Sequence, residues 1–317
     1  MSQFAENGLE KRERIRMNRN VLKSDGLLLL TAVIWGFAFV AQRVGMDHVG
    51  PFTFNGIRFA LGGLSLLPFI VYRKRQEAFA KKRKSTGAAR KFFFGSMLAG
   101  VFLFAGSSLQ QVGLVYTTAG NAGFITGLYV VIVPVMGLFW KQRAGAGNWA
   151  GAILAAVGLY FLSVTQDLTM GKGDFLVLIS AFLWASHVLI IGWLSPKTDS
   201  IQLAAFQFAV CSVLSLFTAV VFETMVPDNI LKAMVPILYG GLMSVGVAYT
   251  LQVVAQKDAH PAHASILLSL EAVFAAIGGW IILNEVFSFR GLMGCSLMLS
   301  GMLISQLWPR KFSRNGS

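Results

Sequence analysis

One carboxylate, Glu271, stands near the middle of the apolar stretch His263–Leu283, a run about as long as one bilayer crossing. At that depth an unpaired, unhydrated charge costs on the order of several kcal/mol. Glu271 could carry a proton in exchange for a substrate or pair with a substrate cation. Its helical face, Ala264, Leu267, Leu268, Ala275 and Gly278, equally suits a close helix contact and a gating role. Arg58 is the second charge inside an apolar run, about 9 Å beyond its start at 1.5 Å per residue. It points either to a water-filled cavity or a buried partner, where it would attract or orient an anionic group, or to a purely structural tie. Arg43 lies four residues before Asp47, so a local pair with snorkelling explains it. Trp35 and Trp184 are mid-span, away from the interfacial belts that usually hold tryptophan, and either line a cavity or pack as bulk. His187 follows Trp184 by one turn, with a neighbour to satisfy it or a one-sided role in a site. Gln110, with Ser107 three residues earlier, and Gln252 give polar stripes suited to interhelical hydrogen bonds or to a cavity wall. Asn121 and Tyr129 complete the candidate binding set. Catalytic and cofactor patterns are absent from the sequence: no nucleotide-binding loop, no metal spacing among the four histidines, no serine beside a base. The expectation is no enzyme and no cofactor.

The elements that must position these residues follow from composition. Of 317 residues, 55% are hydrophobic and 13% charged, and the mean hydropathy of +0.65 marks an integral membrane protein whose partner is the lipid bilayer. The net charge of +13 sits in tails and loops between apolar runs, which reads as membrane topology and not as nucleic-acid binding. Cys211 and Cys295 both fall within apolar runs and suit packing. Ten spans are expected, near 25–44, 52–72, 92–115, 121–140, 148–164, 174–194, 201–222, 231–254, 263–283 and 289–308. The first is read as a retained helix, since no small-residue cleavage site follows it. A small-residue G-x-x-x-G, Gly147 and Gly151, marks span five, and Gly291 with Cys295 marks span ten as packing faces.

The chain repeats itself. At an offset of 149, Asp25–Trp35 lies over Asp174–Trp184, and Phe59 and Ala60 over Phe208 and Ala209. At 142, Gln110 falls on Gln252, Leu128 on Leu270, and Tyr129 on Glu271; at 143, Gly151 and Gly158 fall on Gly294 and Gly301. Arg58 falls on the neutral Gln207. The length difference sits in the basic stretch Arg73–Lys91, and Thr165–Gly173 joins the halves. The expected organisation is a tail (1–24), a first repeat (25–165), a second repeat (174–308) and a tail (309–317). Five is odd, so the second half enters the membrane from the opposite side: an all-α protein of ten transmembrane helices in two inverted five-helix repeats. With the N-terminus inside, 22 Lys and Arg residues lie in inner segments and three, Lys172, Lys232 and Arg290, outside. Both termini are therefore expected in the cytosol, with Trp140, Trp149, Trp193 and Trp308 at the inner interface of the plasma membrane.

The WG pair at Trp35, the IRFALGG run around Arg58, Thr117–Pro134 and the SLEAVFAAIGGWIILNE run ending at Glu285 together resemble the EamA family of the drug/metabolite transporter superfamily. The resemblance covers residues 25–308. It implies a ten-helix exporter of small metabolites, with a central cavity lined from spans one, three, four, six, eight and nine. The expected partner is a small, polar, amino-acid-like substrate, held by Trp35, Arg58, Gln110, Asn121, Tyr129, Trp184, His187 and Gln252, with Glu271 for coupling or gating and a proton as the candidate coupling ion. Efflux of cationic compounds is the alternative within transport; a membrane sensor or assembly subunit is the alternative outside it. Glu285 is expected near the start of span ten, where a negative charge is favoured. The sequence leaves substrate identity and oligomeric state open.

Overall fold

The computed structural model describes residues 2–79, 86–138, 145–163, 170–257, 259 and 261–307. The helices in chain order are α1 (Ser2–Gly45), α2 (Pro51–Ser65), α3 (Leu67–Phe79), α4 (Thr86–Leu114), α5 (Ala119–Gly127), α6 (Tyr129–Gly137), α7 (Ala146–Ser163), α8 (Lys172–Leu194) and α9 (Ser200–Phe222). After α10 (Pro227–Lys232) and α11 (Met234–Leu238), a π-helical segment Tyr239–Tyr249 leads into α12 (Thr250–Ala255), α13 (Pro261–Ser269), α14 (Glu271–Leu283) and α15 (Phe289–Leu307). Among the described residues no strand is present. Among the described residues eight helical stretches are long and apolar enough to cross a membrane, and two shorter apolar helices, Trp149–Leu162 and Phe289–Ile304, stand where spans five and ten were expected. Trp140, Trp308, the basic residues of 139–144, the joint at 164–169 and the tail 309–317 lie outside the described residues. Trp149 and Trp193 are exposed.

Local sequence sets the helix starts. Pro51 opens α2 without forfeiting a bond, because its missing N–H would be unpaired there anyway. The Thr118 side chain caps α5 by accepting from the Asn121 N–H at 3.1 Å, and Asp199 caps α9 by accepting from the N–H groups of Ile201 and Gln202. Asn284, in the left-handed region at φ 54°, stops α14. The eighth span begins at Met234 and not at Leu231, because Pro227–Lys232 closes as a separate helix at Ala233.

Spans four and nine are each broken at one residue, Leu128 and Leu270, which the repeat makes equivalent. At both, the chain tightens to 3₁₀ spacing: Leu128 N–H donates to Ile125 O and Val131 N–H to Leu128 O, while Leu270 N–H donates to Leu267 O and Val273 N–H to Leu270 O. Tyr129 and Glu271 are thereby the first residues of α6 and α14.

Spans that the repeat makes equivalent pack on each other: α2 on α9, α7 on α15, and span four on span nine through the crossed pairs α5 on α14 and α6 on α13. The crossed contacts match as well, with α4 on α8, α4 on α9, and the π segment on α1 and α2. Small residues make the approaches close, as membrane helix packing requires. A Cβ on Gly36 would stand 2.2 Å from the Phe274 Cβ and 2.8 Å from the Glu271 carbonyl, so α1 reaches α14 only through a glycine there. Between α7 and α15 the close approaches are Gly158 with Gly294 and Gly151 with Gly301, where a Cβ added to Gly158, Gly294 or Gly301 would stand 2.7 Å from the facing glycine's carbonyl oxygen, whereas Gly291 of the expected small-residue pair faces Phe287 and Ser288. We call the end of the bundle where α1 leaves at Gly45 distal, and the end where it enters near Leu22 proximal.

Candidate functional site

The packing leaves a central cavity walled by α1, α2, α4, α5, α6, α8, the π segment, α12, α13 and α14. Trp35, Arg58, Gln110, Tyr129, Trp184, His187, Gln252 and Glu271 all line it. Most of the wall comes in repeat-related pairs: Trp35 with Trp184, Phe39 with Val188, Gln110 with Gln252, Thr126 with Leu268, Tyr129 with Glu271. The two helix breaks set the last pair at the starts of α6 and α14, both lining the one cavity.

Arg58 is 2% exposed and makes no salt bridge among the described residues. Its Nε donates to Asn55 Oδ1, one turn earlier, at 2.9 Å. The guanidinium carbon lies 5.0 Å from the Phe59 ring centroid and 5.6 Å from that of Phe54, so two rings and an amide hold the fork while its outer N–H groups stay available for a planar anion. Glu271, 3% exposed, also makes no salt bridge among the described residues. The carboxylate is close to the Tyr129 hydroxyl, which lacks a partner in regular hydrogen-bond geometry.

The repeat has diverged where the chemistry lies. At Arg58's equivalent, Gln207 accepts from His187 Nε2 at 2.8 Å, leaving His187 Nδ1 unpartnered. Trp35 Nε1 donates to the Ser244 carbonyl at 3.2 Å, whereas Trp184 Nε1 has no partner among the described residues. Gln110 Nε2 donates to Thr126 Oγ1 at 3.1 Å; the Oε1 atoms of Gln252 and Gln42 are unpaired. Among the described residues the wall thus holds a cation and a carboxylate without salt bridges, and further donors and acceptors without partners, which a dry protein core does not tolerate without a ligand or water.

Two expected residues lie elsewhere. Asn121 is on the first turn of α5 and lines a second, distal hollow with Arg43, Asp47, Tyr116 and Asp174, because the α5 start faces the loops and only its end reaches the cavity. Ser107 turns to the Phe104 carbonyl and to Cys211, so only Gln110 of that stripe reaches the cavity. Arg43 pairs with Asp47 at 2.8 Å as expected. Glu285 departs from its expected place: its carboxylate accepts from the N–H groups of Ala119 and Gly120 at 2.7 and 3.0 Å, holding the start of α5 instead of α15. Glu223 does the same for α2, through the N–H groups of Phe52 and Thr53.

A family model described as "EamA-like transporter family" matches residues 22–164 and again 171–306. The chain belongs to the EamA-like transporter family. An uncharacterized transporter of Archaeoglobus fulgidus is 31% identical over 90% of this chain and 86% of its own length. A Chlamydia muridarum protein named as an S-adenosylmethionine/S-adenosylhomocysteine transporter is 22% identical over 87% of this chain and 89% of its own length. A crystal structure with 16% sequence identity matches 92% of this chain and 99% of that one at a TM-score of 0.69, which shows a shared fold. As an EamA-like protein, the chain is a membrane transporter for a small molecule.

The cavity also contains residues that sequence reasoning missed: Gln42, Phe39, Ser244 and above all Tyr249. Helical spacing carried a signal for three of them. Phe39 and Gln42 follow Trp35 by one and two turns, and Tyr249 precedes Gln252 by three residues. Ser244 lies in the π-helical segment, where spacing of 3.6 does not hold.

Proposed function

We propose that this EamA-like transporter exports a small, amino-acid-like zwitterion by alternating access of two inverted five-helix repeats. The observation that carries the reading is the central cavity that holds Arg58 and Glu271, both buried and neither in a salt bridge among the described residues. A substrate carboxylate on the Arg58 fork and a substrate ammonium near Glu271 and the aromatic walls would satisfy both. Arg58 argues against the cationic-efflux alternative, since a cation would meet like charge in a site of low dielectric. The Chlamydia relative's named substrates also carry an amino-acid head group; in this chain we assign the cavity to that head group alone. A proton is the proposed coupling ion, with Glu271 as its carrier.

The inverted arrangement is supported by the odd number of apolar helices per half and by equivalent helices packing on each other. The bias of 22 inner to three outer basic residues supports a topology with both termini in the cytosol and the distal hollow outside. Reporters fused after Ser317 and within Arg73–Lys91 are expected to read cytosol together; an outside signal from either sinks the inverted-repeat reading.

The cavity itself is tested by purified protein in proteoliposomes loaded with labelled alanine or threonine. Efflux above protein-free vesicles is expected. Trp35→Ala and Trp184→Ala should each lower efflux about tenfold or more while the amount of folded protein stays within about twofold, because a cavity wall is lost and the lipid-facing surface is kept. Parallel loss of folded protein and efflux would make both residues packing bulk.

A further inference from the structure

The most contacted ring in the cavity belongs to Tyr249, at the end of the π-helical segment. Its centroid lies 4.5 Å from that of Trp35 and 6.1 Å from that of Trp184, the latter ring tilted by 29°, so it fills the slot between the two equivalent tryptophans. Phe59 at 6.0 Å and Phe208 at 5.9 Å, themselves a repeat-related pair, close round the same ring. Tyr249 is 5% exposed. The repeat shows what the slot would be without it: at an offset of 142 the equivalent position is Ser107, which is buried and turned away from the cavity. One half of the duplication thus contributes a phenol ring where the other contributes a hydroxymethyl group.

We propose that Tyr249 is the specificity-determining residue of the transport site, occupying the aromatic slot so that only zwitterions with small aliphatic side chains fit between Arg58 and Glu271. The inference rests on the zwitterion reading above and narrows it. Aromatic pairs at these separations attract each other beyond their area of contact, so a substrate ring would have to displace a ring already well held. The slot is also shaped from both sides by neighbours fixed elsewhere. Trp35 is tied to the Ser244 carbonyl, and the Tyr239 hydroxyl donates to the Ile34 carbonyl at 3.1 Å, which joins the π segment to α1 at the level of the slot. An enclosed apolar pocket excludes an oversized group more strongly than it rejects an undersized one.

The experiment measures efflux from proteoliposomes loaded separately with alanine, threonine, phenylalanine or tryptophan, for the wild type, Tyr249→Phe and Tyr249→Ser. The wild type should carry the aliphatic pair and exclude the aromatic pair. Tyr249→Phe keeps the ring and should keep the exclusion. Tyr249→Ser reproduces the residue of the first half, vacates the slot, and should raise the aromatic-to-aliphatic efflux ratio at least about tenfold. Wild-type efflux of phenylalanine equal to that of alanine would overturn the inference while leaving the zwitterion reading intact. No wild-type efflux of any of the four would overturn that reading and the inference with it. If Tyr249→Ser does not fold, competition decides the matter on the wild type alone: excess phenylalanine should leave alanine efflux unchanged, and inhibition would overturn the proposal.

Discussion

Arg58→Gln is expected to raise the KM for a zwitterionic substrate by roughly 30-fold to more than 1,000-fold, since removing one partner of a buried charge pair costs about 2–5 kcal/mol. The fold should survive. Gln207 already stands at the equivalent place in the second half and is fully buried there, so the scaffold accommodates an amide at that depth. What disappears is the fork that Asn55 and the rings of Phe54 and Phe59 hold in place. Arg58→Lys should recover only part of the loss, because an ammonium keeps the charge without the bidentate geometry. Asn55→Asp tests the same idea from the other side. It is nearly isosteric, keeps the acceptor that lies 2.9 Å from Nε, and adds a carboxylate that pairs internally with Arg58. Substrate affinity should fall toward that of Arg58→Gln with Arg58 still present. The measurements are concentration-dependent efflux and the elution profile of the purified variants. An unchanged KM in Arg58→Gln would remove Arg58 from substrate recognition and make it a structural tie between α2 and its neighbours.

The parts of this site that were legible in the sequence are those the duplication writes twice. Trp35 and Trp184, or Gln110 and Gln252, can be paired by offset alone, and both members of each pair reach the cavity. Tyr129 opposite Glu271 was legible as the point where one copy gained an ionisable group. The breaks at Leu128 and Leu270 were not. Leucine is a good helix former, no proline stands at either site, and the tightening is resolved only by the hydrogen bonds of the folded chain. Tyr249 was missed for the opposite reason: its partner in the repeat is Ser107, so symmetry pointed away from it, and its significance lies in rings brought from four other helices. Asn121 was misplaced because span four was read as one uniform helix crossing the site. The folded α5 begins among distal loops, under the carboxylate of Glu285 from more than 160 residues away in the chain, and such a cap leaves no local pattern.

Glu271→Gln is expected to abolish flux driven by an imposed pH gradient while substrate exchange across the membrane persists at a raised KM, because the amide oxygen still accepts from the substrate ammonium without the charge. The amide keeps the size and hydrogen-bonding reach of the carboxylate at the start of α14 and can neither bind nor release a proton. Glu271 packs in two directions at once. Its backbone carbonyl sits against Gly36 of α1, where α1 and α14 meet, and its side chain faces the cavity beside Tyr129. A change of charge there acts on the substrate space and on the contact between the halves together, which is what coupling a proton to alternating access requires. With the proton entering as the substrate leaves, acid on the trans side of the vesicle should accelerate efflux in the wild type and have no effect in Glu271→Gln. Exchange of labelled for unlabelled substrate needs no net proton movement and should persist in the variant, which separates loss of coupling from loss of folding. Arg58 makes the complementary case: Arg58→Gln should weaken exchange and gradient-driven flux by the same factor, because both require substrate to bind. Gradient-driven flux unchanged in Glu271→Gln would take Glu271 out of the coupling mechanism and leave it the packing role that its apolar helical face already supports.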